Sequence, residues 1–212
     1  MDAVAAAINT GSELAQIYND ISVLENHHCA LTFAILRRKE CALLAHLDAE
    51  LQRRLRKVIV SVVLCTDMTN HFALTQDFKK HPLQYEPGSE ADRLLLMKVM
   101  LHAADIGNSV RPIAVNDCWS KRVHREFQMQ AQEEEALGLP ITFAVDSTNP
   151  RMCAQVEVNF LCFIVEPLWE RLAEVLPELA PRYSQLQTCK ECYTLLAATA
   201  ATTAAAEGYT GV

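Results

Sequence analysis

Three acid–histidine pairs stand at helical spacing in this chain: Glu25 with His28, Asp67 with His71, and His102 with Asp105. Residues three or four apart lie side by side on a helix surface. A carboxylate on an apolar helix is costly unless it is paired, hydrogen-bonded or bound to a metal. The third pair ends the most apolar stretch of the sequence, so Asp105 is the leading candidate metal ligand. His102 has the spacing to donate a hydrogen bond and orient a neighbour. Lining one polar pocket, the three pairs would suit metal-assisted hydrolysis, in which a divalent ion polarises a phosphoryl oxygen and deprotonates a bound water. The competing reading is three hydrogen bonds that only hold helices together.

The elements that must carry these residues read as helices. From Ser12 to His81 there is neither glycine nor proline, where a sheet protein would show several turn signals. Leu14, Ile17 and Tyr18, then Ile21, Leu24, His28 and Leu31, recur at helical spacing. Leu43, Leu44, Leu47, Leu51 and Leu55 repeat the pattern. The β-branched run Val58–Leu64 continues without punctuation from an amphipathic, helix-forming segment and reads as buried helix. Pro87-Gly88-Ser89 marks a turn, and a helix opens at Ser89. Its run Leu94–Leu101 is apolar on nearly all sides, which predicts a central, buried helix. Trp119–Leu137 and Ala154–Val165 are further helices. Pro167 should kink the last of these and not end it, because Leu168, Trp169 and Leu172 continue its pattern. The fold class is all-α, a compact multi-helix bundle. It is expected over residues 1–195, followed by a flexible Ala/Thr-rich tail over 196–212.

Composition narrows the partners. The 212 residues carry 19 Lys and Arg against 26 Asp and Glu, a net charge of −7 with no basic block of nucleic-acid-binding kind. The longest apolar runs, around Val58–Cys65 and Phe160–Val165, fall short of the ~18 residues a membrane span needs. The N-terminal run Met1–Ala7 has no positive region and does not read as a secretory signal. Eight cysteines sit mostly in apolar runs, and Cys189 and Cys192 form a CxxC with no second pair for zinc. Free thiols in a reducing, cytoplasmic setting are expected.

Four segments in order carry a family resemblance. They are Tyr18–His28 (YNDISVLENHH), Leu64–His71 (LCTDMTNH), Leu101–Asn108 (LHAADIGN) and Phe160–Trp169 (FLCFIVEPLW). From about Asn9 to Leu172 the chain resembles the catalytic domain of the class I 3′,5′-cyclic nucleotide phosphodiesterases, HD-type metal hydrolases. The resemblance implies cytoplasmic hydrolysis of cAMP or cGMP to the 5′-monophosphate in signal transduction, with Zn and Mg as cofactors. It implies that Asp105 binds both metals. Glu25, His28, Thr66, Asp67 and His102 would surround metal-bound waters and ligand histidines. Asn108 would lie beside the purine, and Phe160 and Val123 would clamp the base. A homodimer stays open.

Two departures qualify that implication. The family's HNxxH and HD motifs, and its general-acid histidine, lie upstream of the first segment. Here seventeen residues without a histidine precede Tyr18. No catalytic residue is therefore assigned, and the chain is expected to represent the C-terminal part of the domain, with apolar faces at Val58–Leu64 and Leu94–Leu101 left exposed. The alternatives are a non-catalytic helical remnant that binds a partner, or a pseudoenzyme that holds nucleotide. Second, the family's purine-reading glutamine is replaced by Glu157, and Ser109 stands where proline is usual. An amide both donates and accepts, whereas a carboxylate only accepts. A shifted or weakened base preference is expected.

Overall fold

Ser12 opens the first helix, α1 (Glu13–Tyr18), by accepting a hydrogen bond from the Ala15 amide at 3.2 Å. The computed structural model of the chain describes residues 8–82, 86 and 88–207, with the backbone alone from 200 onward. The N-terminal run, Pro87 of the expected turn and the last five residues of the tail lie outside these. Every regular element among the described residues is helical. The chain divides into two compact units, residues 1–102 and 103–212.

In the first unit, α1 leads through Asn19, Asp20 and Ser22, all at positive φ (53°, 61° and 40°), into α2 (Val23–Leu36). Asn and Asp tolerate this left-handed region; serine there is strained. The leucine periodicity begins too early: Leu43 is 74% exposed in an irregular turn, and α3 (Ala49–Leu64) starts only after Asp48 accepts from the Leu51 amide at 2.8 Å. Val58–Leu64 is helical as read, and partly to fully buried. A short 3₁₀ turn, Met68–Asn70, precedes α4 (His71–Lys80). Ser89 then starts α5 (Glu90–Asp105): its hydroxyl accepts from the Asp92 amide at 3.2 Å and donates to the Asp92 carboxylate at 2.7 Å.

α5 does not reach the central burial its composition suggested, and part of Leu94–Leu101 is exposed, as expected for a chain representing part of the domain. Val99, His102 and Ala103 are buried, but Met97, Met100 and Leu101 are 40–46% exposed. Apolar composition says what a helix can bury, while burial itself depends on how many neighbours pack against it.

The second unit contains α6 (Ile113–Ala136), which follows Pro112 and starts six residues before the expected Trp119. After a loop, Asn149 caps α7 (Pro150–Phe160) by accepting from the Met152 amide at 3.1 Å. The helix passes through a π-turn, Leu161–Val165, into α8 (Glu166–Val175). Pro167 explains the π-turn: it lacks an N–H, and its ring would collide with the carbonyl four residues back. The widened turn absorbs this and the helix continues. The 26-residue helix Pro150–Val175 is, by length and composition, able to span a bilayer, which the shorter apolar runs did not suggest. Its stripe Ala154, Leu161, Val165, Leu168 and Leu172 is buried with Leu186 and Cys189 of α9 (Ala180–Glu207), as in a globular core helix. α9 runs on to Glu207 through the Ala/Thr-rich segment expected to fray, in keeping with alanine's high helix propensity.

Candidate functional site

The three acid–histidine pairs meet different fates. Asp67 is buried, 6% exposed, at the cap of the 3₁₀ turn. Its Oδ2 accepts from the Ser22 hydroxyl at 2.6 Å, and its Oδ1 accepts from the Thr69 amide at 2.8 Å and the Thr69 hydroxyl at 2.7 Å. Burial alone would raise the carboxyl's pKa, but together these donors outweigh it and hold it below the ordinary value. The strained Ser22 thus gains a charge-assisted bond that ties the start of α2 to the turn before α4.

His71 and His102 come together across the first unit. His71 Nδ1 and His102 Nε2 lie 2.9 Å apart, and both rings are fully buried. One imidazole must donate while the other accepts, so the pair needs at least one neutral ring. Burial lowers the His102 pKa, against the opposing pull of the Thr66 carbonyl. Thr66 itself donates its hydroxyl to the Val63 carbonyl at 2.8 Å. Glu25 is buried on α2, whereas its partner in sequence, His28, faces solvent. Glu25 and His28 therefore do not share one buried environment within the first unit.

Asp105 closes α5 and is exposed. The argument that a buried carboxylate demands a metal does not apply to it. Among the described residues no three His, Cys, Asp or Glu side chains converge as a metal site. The donors among the described residues do not by themselves complete a zinc or magnesium site, which needs several protein ligands or a carboxylate cage, so Asp105 could be only one ligand of such a site. All eight cysteines are free thiols.

The second unit holds the other sequence-derived candidates. Asn108, in the 3₁₀ turn Gly107–Val110, donates its amide to Asn116 Oδ1 at 2.9 Å. Val123 and Phe160 are half-buried, on α6 and at the end of α7. Glu157 is 5% exposed. Its Oε1 accepts from the Ser120 hydroxyl at 2.7 Å and stands 3.2 Å from His124 Nε2. Its Oε2 is buried and has no hydrogen-bond partner among the described residues. The Tyr193 phenol of α9 is also buried; burial, then the Glu157 charge, drive its pKa far up.

Asn116, Ser120 and His124 were missed from the sequence. They stand four apart on α6 and are 0%, 4% and 2% exposed. Together they form a polar stripe on a buried face. The four-residue spacing was visible, but polar residues at such spacing ordinarily mark a solvent face.

A family model described as 3′5′-cyclic nucleotide phosphodiesterase matches residues 5–186. The chain is 39% identical over 173 residues to the 3′,5′-cyclic-nucleotide phosphodiesterase regA of Dictyostelium discoideum, covering 81% of this chain and 22% of that protein. It is 35% identical to the mouse high affinity cGMP-specific 3′,5′-cyclic phosphodiesterase 9A, covering 80% and 32% respectively. To the mouse 3′,5′-cyclic-AMP phosphodiesterase 4C it is 33% identical, covering 88% and 28%. Its fold superposes on the phosphodiesterase domain of the RhoPDE fusion protein from the choanoflagellate Salpingoeca rosetta with a TM-score of 0.86 at 32% identity, over 92% of this chain and 63% of that one. The chain thus spans between a fifth and a third of these curated relatives and under two thirds of the solved domain.

Proposed function

Because the chain belongs to the 3′,5′-cyclic nucleotide phosphodiesterase family, we propose that it supplies the purine-recognition part of a catalytic domain that hydrolyses a cyclic nucleotide to its 5′-monophosphate. The observation that carries this reading is Glu157, held at Oε1 by the Ser120 hydroxyl with His124 Nε2 close by, and with Oε2 buried and lacking a donor among the described residues. An unsatisfied buried carboxylate oxygen costs free energy that a ligand donor would recover. Asn108, Val123 and Phe160 are proposed as the rest of the base subsite. Asp105 is proposed as a metal ligand, with Glu25, His28, Thr66, Asp67 and His102 around the metal-bound waters.

When bound, divalent Zn and Mg ions would supply Lewis-acid activation in this family. Among the described residues no three His, Cys, Asp or Glu side chains gather to hold them. This chain's own part is to hold and select the base. Guanine turns N1–H and an exocyclic amine toward an acceptor. Adenine offers only its N6 amine, beside an N1 lone pair that a carboxylate repels. The reading therefore favours cGMP over cAMP. A cytoplasmic role in signal transduction goes with it.

Calorimetric titration of each nucleotide into the 212-residue chain, with and without Zn and Mg, tests the proposal. Saturable binding of cGMP that persists without metal supports it. The absence of binding to either nucleotide under both conditions overturns it. The exposed Asp105 and the missing ligand cluster favour a second reading in which the chain holds nucleotide without turning it over.

A further inference from the structure

A second feature lies wholly within the first unit, between the end of α2, the irregular turn before α3, and the first two turns of α3. There a cavity of about 650 Å³ opens to solvent. Its apolar lining includes Phe33, Leu36 and Leu44, and its basic lining is Arg37, Arg53 and Arg56. No acidic residue lines it.

The three guanidiniums are concentrated here although the chain carries a net charge of −7. Among the described residues, none of the three forms an ion pair. The Arg56 guanidinium stacks over the Phe33 ring at 4.1 Å. That cation–π contact uses none of its N–H groups as hydrogen-bond donors, so they remain for a ligand. Gln52 Nε2 donates to Leu44 O at 3.1 Å and to Leu47 O at 2.8 Å. The same bonds fix the turn that forms one wall.

Arginine's planar fork matches an oxyanion, carboxylate or phosphate, in bidentate fashion. A bare phosphate would fill only part of the cavity and would leave the apolar lining without a partner. A volume of this size suits a small organic ligand. We propose that this cavity binds an amphiphilic anion: a phosphate or carboxylate head on the arginines, with an apolar chain against Phe33, Leu36 and Leu44. The site is separate from the Glu157 cluster, which lies in the second unit.

The test is calorimetric titration of monomeric dodecyl phosphate into the full chain. Parallel arms use inorganic phosphate and phosphatidylcholine vesicles containing phosphatidylserine. The double variant R37Q/R53Q removes two cavity guanidiniums, and R38Q/R54Q removes two neighbouring charges outside the lining. The proposal expects one-to-one saturable binding of dodecyl phosphate. Binding weakens at least ~10-fold in R37Q/R53Q and stays within about twofold in R38Q/R54Q, since removing one charge-assisted hydrogen bond weakens binding by roughly a factor of ten. Inorganic phosphate binds at least ~10-fold more weakly than dodecyl phosphate, for want of an apolar chain to bury. Equal weakening in both double variants overturns the proposal, because the attraction is then diffuse charge. Equal affinity for inorganic phosphate also overturns it, as does binding to vesicles alone, which would mark a membrane-surface patch.

Discussion

The bond between Ser22 and Asp67 allows a prediction in which two substitutions at one position are ordered by backbone strain. Ser22 sits at φ 40° and donates to Asp67 Oδ2 at 2.6 Å, a separation typical of a charge-assisted O–H···O bond. Ser22→Ala removes the bond and keeps the strain; a hydrogen bond to a charged group is worth ~1.5–3 kcal/mol. Ser22→Gly removes the same bond but relieves a left-handed conformation that costs a non-glycine residue ~1–2 kcal/mol. The glycine variant should therefore be the more stable of the two by about 1 kcal/mol. Asp67→Asn weakens three accepted bonds at once, and the double variant with Ser22→Ala should show a coupling of ~1–2 kcal/mol. Both tryptophans, Trp119 and Trp169, lie in the second unit, so their fluorescence does not report on this region. Urea titration followed by amide exchange in α2 and α4 does. If Ser22→Gly proves as destabilising as Ser22→Ala, or if the coupling is below ~0.5 kcal/mol, the reasoning about strain and bond fails.

Other outcomes follow from buried titratable groups. Burial depresses the folded-state His102 pKa, so below the ordinary histidine value of ~6.5 the unfolded chain binds a proton that the folded chain refuses. Stability of the first unit should rise with pH up to neutrality and fall as pH drops from 7 toward 5, and His102→Gln should flatten that slope in urea titrations at several pH values. Asp67 has the opposite chemistry but the same direction: its lowered pKa contributes stability above ~4 that is lost as pH falls through the folded value, and Asp67→Asn should remove this acid limb. In the second unit, Glu134 accepts from the Thr142 amide at 2.7 Å, the Thr142 hydroxyl at 2.6 Å and Gln130 at 2.9 Å. Glu134→Ala should free the 138–148 loop, read as faster amide exchange at Thr142 and Phe143, with Glu134→Gln intermediate.

Much of the fold was legible because helices announce themselves locally. Ser89 marks a start through its side-chain cap, and Pro167 signalled the interruption of regular helix that the π-turn realises, whereas the Asn149 cap stands ahead of the expected start at Ala154. Burial was harder to read. The Leu94–Leu101 run is apolar all round, yet half of it faces solvent, because composition does not count neighbours. Leu43 kept the leucine spacing but fell before the Asp48 cap, where periodicity extends beyond the stretch that hydrogen bonding makes helical. In the site, Asp67, His71 and His102 were found from pairing at three- or four-residue spacing, but their partners are across the unit. Ser22 meets Asp67 over 45 residues and His71 meets His102 over 31. Local spacing nominates such residues; it does not name what they touch. The Asn116–Ser120–His124 stripe shows the reverse case, polar residues whose burial only the tertiary structure reveals.

The account turns on Glu157 as a carboxylate reading purine donors, and the ratio of cGMP to cAMP affinity tests it most directly. Titration of both nucleotides into the chain and into Glu157→Gln should give tighter cGMP binding in the parent by about tenfold, the worth of one charge-assisted hydrogen bond. The glutamine, able to donate or accept, should bring the two affinities together. An unchanged ratio in the variant, or a parent that prefers cAMP, would contradict the account.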